Sequence, residues 1–192
     1  MNDPLASSVN HPAETELFDD TLSCEVTLPV EFVPGTVAVR PGAAEILLRS
    51  VALVEDSRGD DGEERSDNSL QLQRLEARMD LLLVLMGRLL RQSTDSLPLH
   101  ALRWSSRGLR LEMPGSGGTQ AGSHGVVRLQ PLDWLPDHIE LPVVVLAEAA
   151  NASGGHYLWL RLQAPSDALE VALERHLFRL HRRQVADSRR QR

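Results

Sequence analysis

Lysine is absent from this 192-residue chain; all 20 of its basic residues are arginine. Without lysine, the glycine-rich stretch at residues 115–118 (GSGG) cannot complete a P-loop, and no parallel strand and helix flank it. It reads as a hairpin or barrel turn. Cysteine is nearly absent too. The single Cys24 excludes an internal disulfide and a cysteine-rich zinc cluster, and reads as a small residue packed in a strand. Aromatic residues make up 4% of the chain and are not interleaved with basic ones, which argues against a nucleic-acid-binding module. The longest apolar run, LLLVLM at residues 81–86, is far short of the roughly 20 residues that span a bilayer. The first residues, MNDPLASSVNHPAETE, have neither a basic nor an apolar signal region, so a cytoplasmic protein is expected.

Recognisable catalytic patterns are missing as well. The seven histidines, at positions 11, 100, 124, 138, 156, 176 and 181, form no metal-binding spacing. His176 and His181 share a predicted helix but point about 140° apart around its axis. No serine sits in a nucleophile elbow. The expectation is a non-enzymatic protein with no metal and no resident cofactor.

What is present is a core-forming composition, 42% hydrophobic, with a formal charge of −7. The charge is uneven. Seven arginines against one acid, Asp187, fall between Arg175 and Arg192, so a basic end follows an acidic body. That distribution disfavours nucleic-acid binding by the surface as a whole but leaves the end free to attract an acidic partner.

The patterning divides the chain into four regions: a flexible polar arm at 1–21, a strand and two helices at 22–96, a barrel with a terminal helix at 97–186, and a basic tail at 187–192. Residues 22–33 (LSCEVTLPVEFV) are β-rich, and the internal proline suits an edge strand. Residues 43–54 have the apolar spacing of a short helix. From about 69 to 92 a second, longer helix is predicted. There Leu72, Leu75, Met79, Leu82, Met86 and Leu89 follow one another at intervals of 3, 4, 3, 4 and 3, the a and d positions of a heptad. Leu81, Leu83, Val84, Leu85 and Leu90 make its second half apolar nearly all round, so one face can pack at home while another needs a partner.

Beyond residue 96 the pattern changes to short strands separated by turn residues, at 99–105, 108–113, 125–129, 139–149 and 157–163. Pro165, Ser166 and Asp167 then start a helix over 168–185, with Leu169, Leu173, Leu177, Leu180 and Val185 on its barrel side. The predicted class is α+β: a small antiparallel β-barrel with a C-terminal helix and two additional N-terminal helices, the longer one heptad-patterned.

Residues 103–108 read RWSSRG, within HALRWSSRGLRLEM. This resembles the strand–turn–strand that opens PilZ domains, bacterial modules that bind the second messenger cyclic di-GMP. Their usual motif there is Asp/Asn-x-Ser-x-x-Gly; Ser105 and Gly108 match it, while Arg103 stands at the acid or amide position. MPGSGG at 113–118 looks like the family's P-x-G turn, and ALERHLFRLHRRQ at 172–184 is similar to its C-terminal helix. RLEARMDLLLVLMGRLLRQ at 74–92 resembles the atypical subfamily that assembles as tetramers through long helices. The resemblance covers about residues 22–186.

It implies a barrel whose ligand, if any, is cyclic di-GMP. Members that bind it use an Arg-x-x-x-Arg pair just ahead of the first barrel strand, where guanidinium groups fork onto phosphate and stack on guanine. That segment here, RQSTDSLPL at 91–99, has no such pair. The spacing occurs instead at Arg74/Arg78, Arg103/Arg107, Arg175/Arg179 and Arg179/Arg183. The expected function is therefore a PilZ-like signalling adaptor, self-associating as a homotetramer and contacting an unidentified protein partner. The alternative is a true cyclic di-GMP receptor with an altered site made of Arg103, Ser105, Arg107 and Gly108, with Arg179 or Arg183. Replacing Leu82 and Met86 by polar residues is expected to dissociate the assembly and leave a folded barrel, as light scattering and circular dichroism would report.

Overall fold

Six strands carry the chain's period-2 alternation into a closed antiparallel barrel in the order β1-β2-β3-β6-β5-β4. They are β1 (Ser23–Pro34), β2 (Leu99–Ser105), β3 (Gly108–Met113), β4 (His124–Leu129), β5 (Ile139–Ala150) and β6 (His156–Leu162). The computed structural model describes residues 11–40, 42–59, 79, 97–115, 117–132, 135 and 137–190. Inward positions are mostly aliphatic, with Trp104 on β2 and Cys24 on β1 among them. Leu109 and Leu111, Leu141 and Val143, and Leu158 and Leu160 are buried in one continuous core.

Strand β1 corrects the expectation of an edge strand and of a barrel that begins at residue 97. Its first part, Ser23 to Pro29, pairs with β2, and its second, Val30 to Pro34, pairs with β4. Pro29 lies where the strand changes neighbours. It has no N–H to offer, and around it Val30 N–H donates to Pro98 O at 2.8 Å while Gln130 N–H donates to Pro29 O at 2.9 Å. A central proline is tolerated because the ladder passes from one neighbour to the next at that residue.

Among the described residues three helices flank the barrel: α1 (Pro12–Phe18), α2 (Ala43–Gly59) and α3 (Asp167–Arg190). Helix α1 overturns the flexible arm expected at 1–21 within the residues described there. His11 caps it, its Nδ1 accepting the Ala13 N–H at 3.2 Å, and proline at the first helical position needs no hydrogen bond. The helix is held because Ala13, Glu14, Leu17 and Phe18 are buried. Helix α3 starts as predicted, with Ser166 Oγ accepting the Leu169 N–H at 3.2 Å. It runs on to Arg190, so residues 187–190 of the expected tail are helical; the arginines there suit the negative end of the helix dipole.

Helix α3 lays Ala172, Leu173, His176 and Leu177 onto the barrel, and α2 adds Ala44 and Leu48 to the same core. Cys24 on β1 is buried beneath α3. Its thiol donates to Leu177 O at 3.4 Å, and burial raises its pKa. Of the heptad positions, Leu72, Leu75, Leu82, Met86 and Leu89 lie outside the described residues; Met79 is helical and 56% exposed.

His176 is 2% exposed and packs against Trp104, ring centroids 5.5 Å apart. Neither of its ring nitrogens has a hydrogen-bond partner among the described residues. Burial, reinforced by the Arg183 and Arg179 guanidinium groups, pushes its pKa down to about 4. The unfolded chain therefore takes up this proton first as pH falls. Protonation of His176 therefore destabilises the fold progressively as pH falls from about 6.5 toward 4, by on the order of 3 kcal/mol in all, and has no effect above that window. His176→Leu is expected to flatten that pH dependence in urea titrations between pH 7 and 4.5, and to be neutral or stabilising at pH 7.

Candidate functional site

Residues 103–108 form the hairpin between β2 and β3, with Ser106 and Arg107 at its tip. The Ser105 hydroxyl, fully buried, accepts the N–H groups of Arg107 at 3.2 Å and Gly108 at 3.3 Å, which fixes the turn. It donates in turn to Leu17 O at 2.7 Å, tying α1 to the barrel. A Cβ on Gly108 would collide with Leu160 O and lie 2.8 Å from Leu17 Cδ2, so only glycine allows both β6 and α1 to approach.

The strand register brings further groups to the outer face. Arg103 lies opposite Arg110 across β2 and β3, Arg110 opposite Trp159 and Gly108 opposite Arg161 across β3 and β6. Two arginines directly opposite each other repel unless an anion lies between them. Here the anion is Glu14, 5% exposed. Its Oε1 accepts from Arg110 Nη1 at 2.5 Å and Trp159 Nε1 at 3.0 Å, and its Oε2 accepts from Arg103 Nη1 at 3.0 Å. Arg103 also donates to Ser23 Oγ and lies 4.4 Å over the Phe18 ring. Arg107 donates to Asp19 O at 2.9 Å, Arg161 to Glu16 Oε1 at 2.7 Å, and His11 stacks on Trp159 at 4.6 Å. A face carrying four arginines and an indole is thus covered by the chain's own acidic helix.

Four of the six candidate ligand residues, Arg103, Ser105, Arg107 and Gly108, come together there. Arg179 and Arg183 do not join them; they face α2, where Arg179 donates to Ala52 O at 3.3 Å and Arg183 pairs with Glu55. Glu14, Arg110, Trp159 and Arg161 were not anticipated. Arg110 was within reach, since a two-residue turn at 106–107 necessarily sets 103 opposite 110. The glycine-rich turn at 115–118 also meets an internal anion: the Glu148 carboxylate accepts the Thr119 N–H at 2.9 Å and leaves no room for a Cβ on Gly117. Partial burial opposes ionisation of Glu148, but the Thr119 and Gly118 N–H groups outweigh it and hold its pKa below the usual value. Among the described residues no cluster of His, Cys, Asp and Glu could hold a metal ion, and no helix is long and apolar enough to cross a membrane.

A family model described as "Atypical PilZ domain, cyclic di-GMP receptor" matches residues 48–190. The chain belongs to the atypical PilZ family. A crystal structure of a pathogenic protein from Xanthomonas campestris, described as a new tetrameric PilZ domain self-assembled via a helical bundle, is 49% identical. The match covers 95% of this chain and 98% of that one, with a TM-score of 0.80. The Bacillus subtilis inhibitor of motility is 18% identical over 46% of this chain and 43% of its own, with a TM-score of 0.38. The PilZ domain of Escherichia coli YcgR with c-di-GMP is 15% identical over 50% and 80%, also at 0.38. Those two values are too low to add to the assignment. A comparison with curated proteins found no match.

Glu14→Ala should leave Arg103 and Arg110 facing each other without their counter-ion, at a cost of about 3 kcal/mol to the docking of α1. Amide exchange is expected to accelerate across residues 12–18 while the barrel strands keep their protection, a contrast that mass spectrometry reads directly.

Proposed function

We propose that this PilZ protein is a non-catalytic signalling adaptor that assembles as a tetramer and acts through protein contacts, without binding cyclic di-GMP in the usual mode. One observation carries the reading. Beside the Ser105–Gly108 turn, where the family resemblance locates ligand contacts, Arg103 and Arg110 already hold the buried carboxylate of Glu14, and the turn itself holds Leu17 O. An incoming phosphate would have to displace an ion pair that is made within the chain and costs no association entropy.

Self-assembly is supported from two directions. The Xanthomonas campestris protein, 49% identical over nearly the whole chain, is described as tetrameric through a helical bundle. In this chain α2 exposes Ile46 and Leu53, and α3 exposes Val171 and Phe178, each pair seven residues apart along one helix face. Apolar side chains at that spacing suit burial against another helix.

A cyclic di-GMP receptor with an altered site is the second reading, favoured by the arginines and the indole gathered on one face. Calorimetry separates the two. The full chain is expected to give no heat with cyclic di-GMP at tens of micromolar; micromolar binding that disappears in Arg103→Ala would establish the receptor instead. Light scattering should return a tetramer mass, and a monomer at that concentration would end the assembly reading.

A further inference from the structure

We propose that the outer face of β2, β3 and β6 is a docking surface for a short acidic helix of a partner protein, with α1 as its resident occupant. This rests on the adaptor reading and names the kind of partner it implies. The face makes three demands, and α1 shows what meets them. A carboxylate must enter between Arg103, Arg110 and the Trp159 N–H. An aliphatic side chain one turn later must pack against Gly108, as Leu17 does, and an aromatic ring must lie under the Arg103 guanidinium, as Phe18 does. On a helix those groups sit at i, i+3 and i+4, on one side. The partner is therefore a helix bearing Glu-x-x-Leu-Phe or its close equivalent, with a further acid to meet Arg161 as Glu16 does.

The occupant can be exchanged without opening the barrel. Ala13, Leu17, Phe18 and Trp159 form a hydrophobic cluster of their own, separate from the barrel core. Helix α1 has only seven residues, too few to persist away from the surface that holds it. It joins β1 through Asp20, whose φ of 54° is a conformation non-glycine residues rarely adopt. A tethered occupant also competes at high effective concentration, so an external helix gains the face only when α1 is loosened or outnumbered.

The test uses the full chain and a fluorescent peptide of residues 11–20, HPAETELFDD. Leu17→Asp should release α1 and leave the barrel intact. The variant is expected to bind the peptide with a micromolar Kd, with wild type at least tenfold weaker because its own helix competes. A peptide carrying Glu14→Gln should lose at least tenfold. If Leu17→Asp fails to fold, Asp20→Pro releases the helix from the linker side, because proline cannot take a positive φ. A folded, α1-released variant that leaves the peptide unbound, or that binds cyclic di-GMP in preference to it, overturns the proposal. Failure of the adaptor reading is read separately, as cyclic di-GMP binding by the wild-type chain in calorimetry.

Discussion

Strand β1 is hydrogen-bonded to different neighbours along its two halves, and much of the rest of the molecule is arranged around that division. Pairing with β2 on one half and β4 on the other closes the sheet, so the described strands leave no edge to recruit another chain. It also sends the chain's flanking segments to different places. The segment before β1 emerges beside β2 and lies over the arginine face as α1. The segment after it leaves from β4 and packs as α2 against α3. Cover of the arginine face and helix–helix packing therefore fall to separate helices on separate surfaces.

Both features of the sequence that invite an anion are satisfied from within. The arginine face receives Glu14, brought from 89 residues away along the chain, and the glycine-rich turn receives Glu148 from β5. Arg103 is central to this. Where the family's usual motif has an acid or amide that could face a guanine edge, this chain has a cation, and that cation is neutralised by its own N-terminal helix. The substitution and the helix form one unit; neither is intelligible without the other.

The barrel was legible because its signals are local. Period-2 alternation, turn residues and the Pro165–Asp167 start signal located five strands and α3 to within a residue or two at most boundaries, apart from the C-terminal end of α3. Ser105 and Gly108 came together with Arg103 and Arg107 because six consecutive residues in a hairpin cannot do otherwise. Arg179 and Arg183 lie apart from those residues for an equally physical reason: a spacing of four sets two arginines on one helix face but does not say what that face meets, and here it meets Glu55. Helix α1 was missed because its burial is not apolar alone. A short segment rich in Asp and Glu reads as solvated until the arginines opposite it are known, and those come from strands some 90 positions later. Pro29 misled in the opposite sense, since nothing local shows that a strand will change neighbours at that residue.

Cys24 gives the packing of α3 a kinetic dimension. It is the chain's single thiol, held under the C-terminal helix with its hydrogen on Leu177 O. A thiol reagent reaches it only when α3 lifts from β1, and burial keeps the reactive thiolate scarce until then. The rate at which this one sulfur is alkylated is thus a clock for the opening of the barrel's helical cover, built into the protein without any added label.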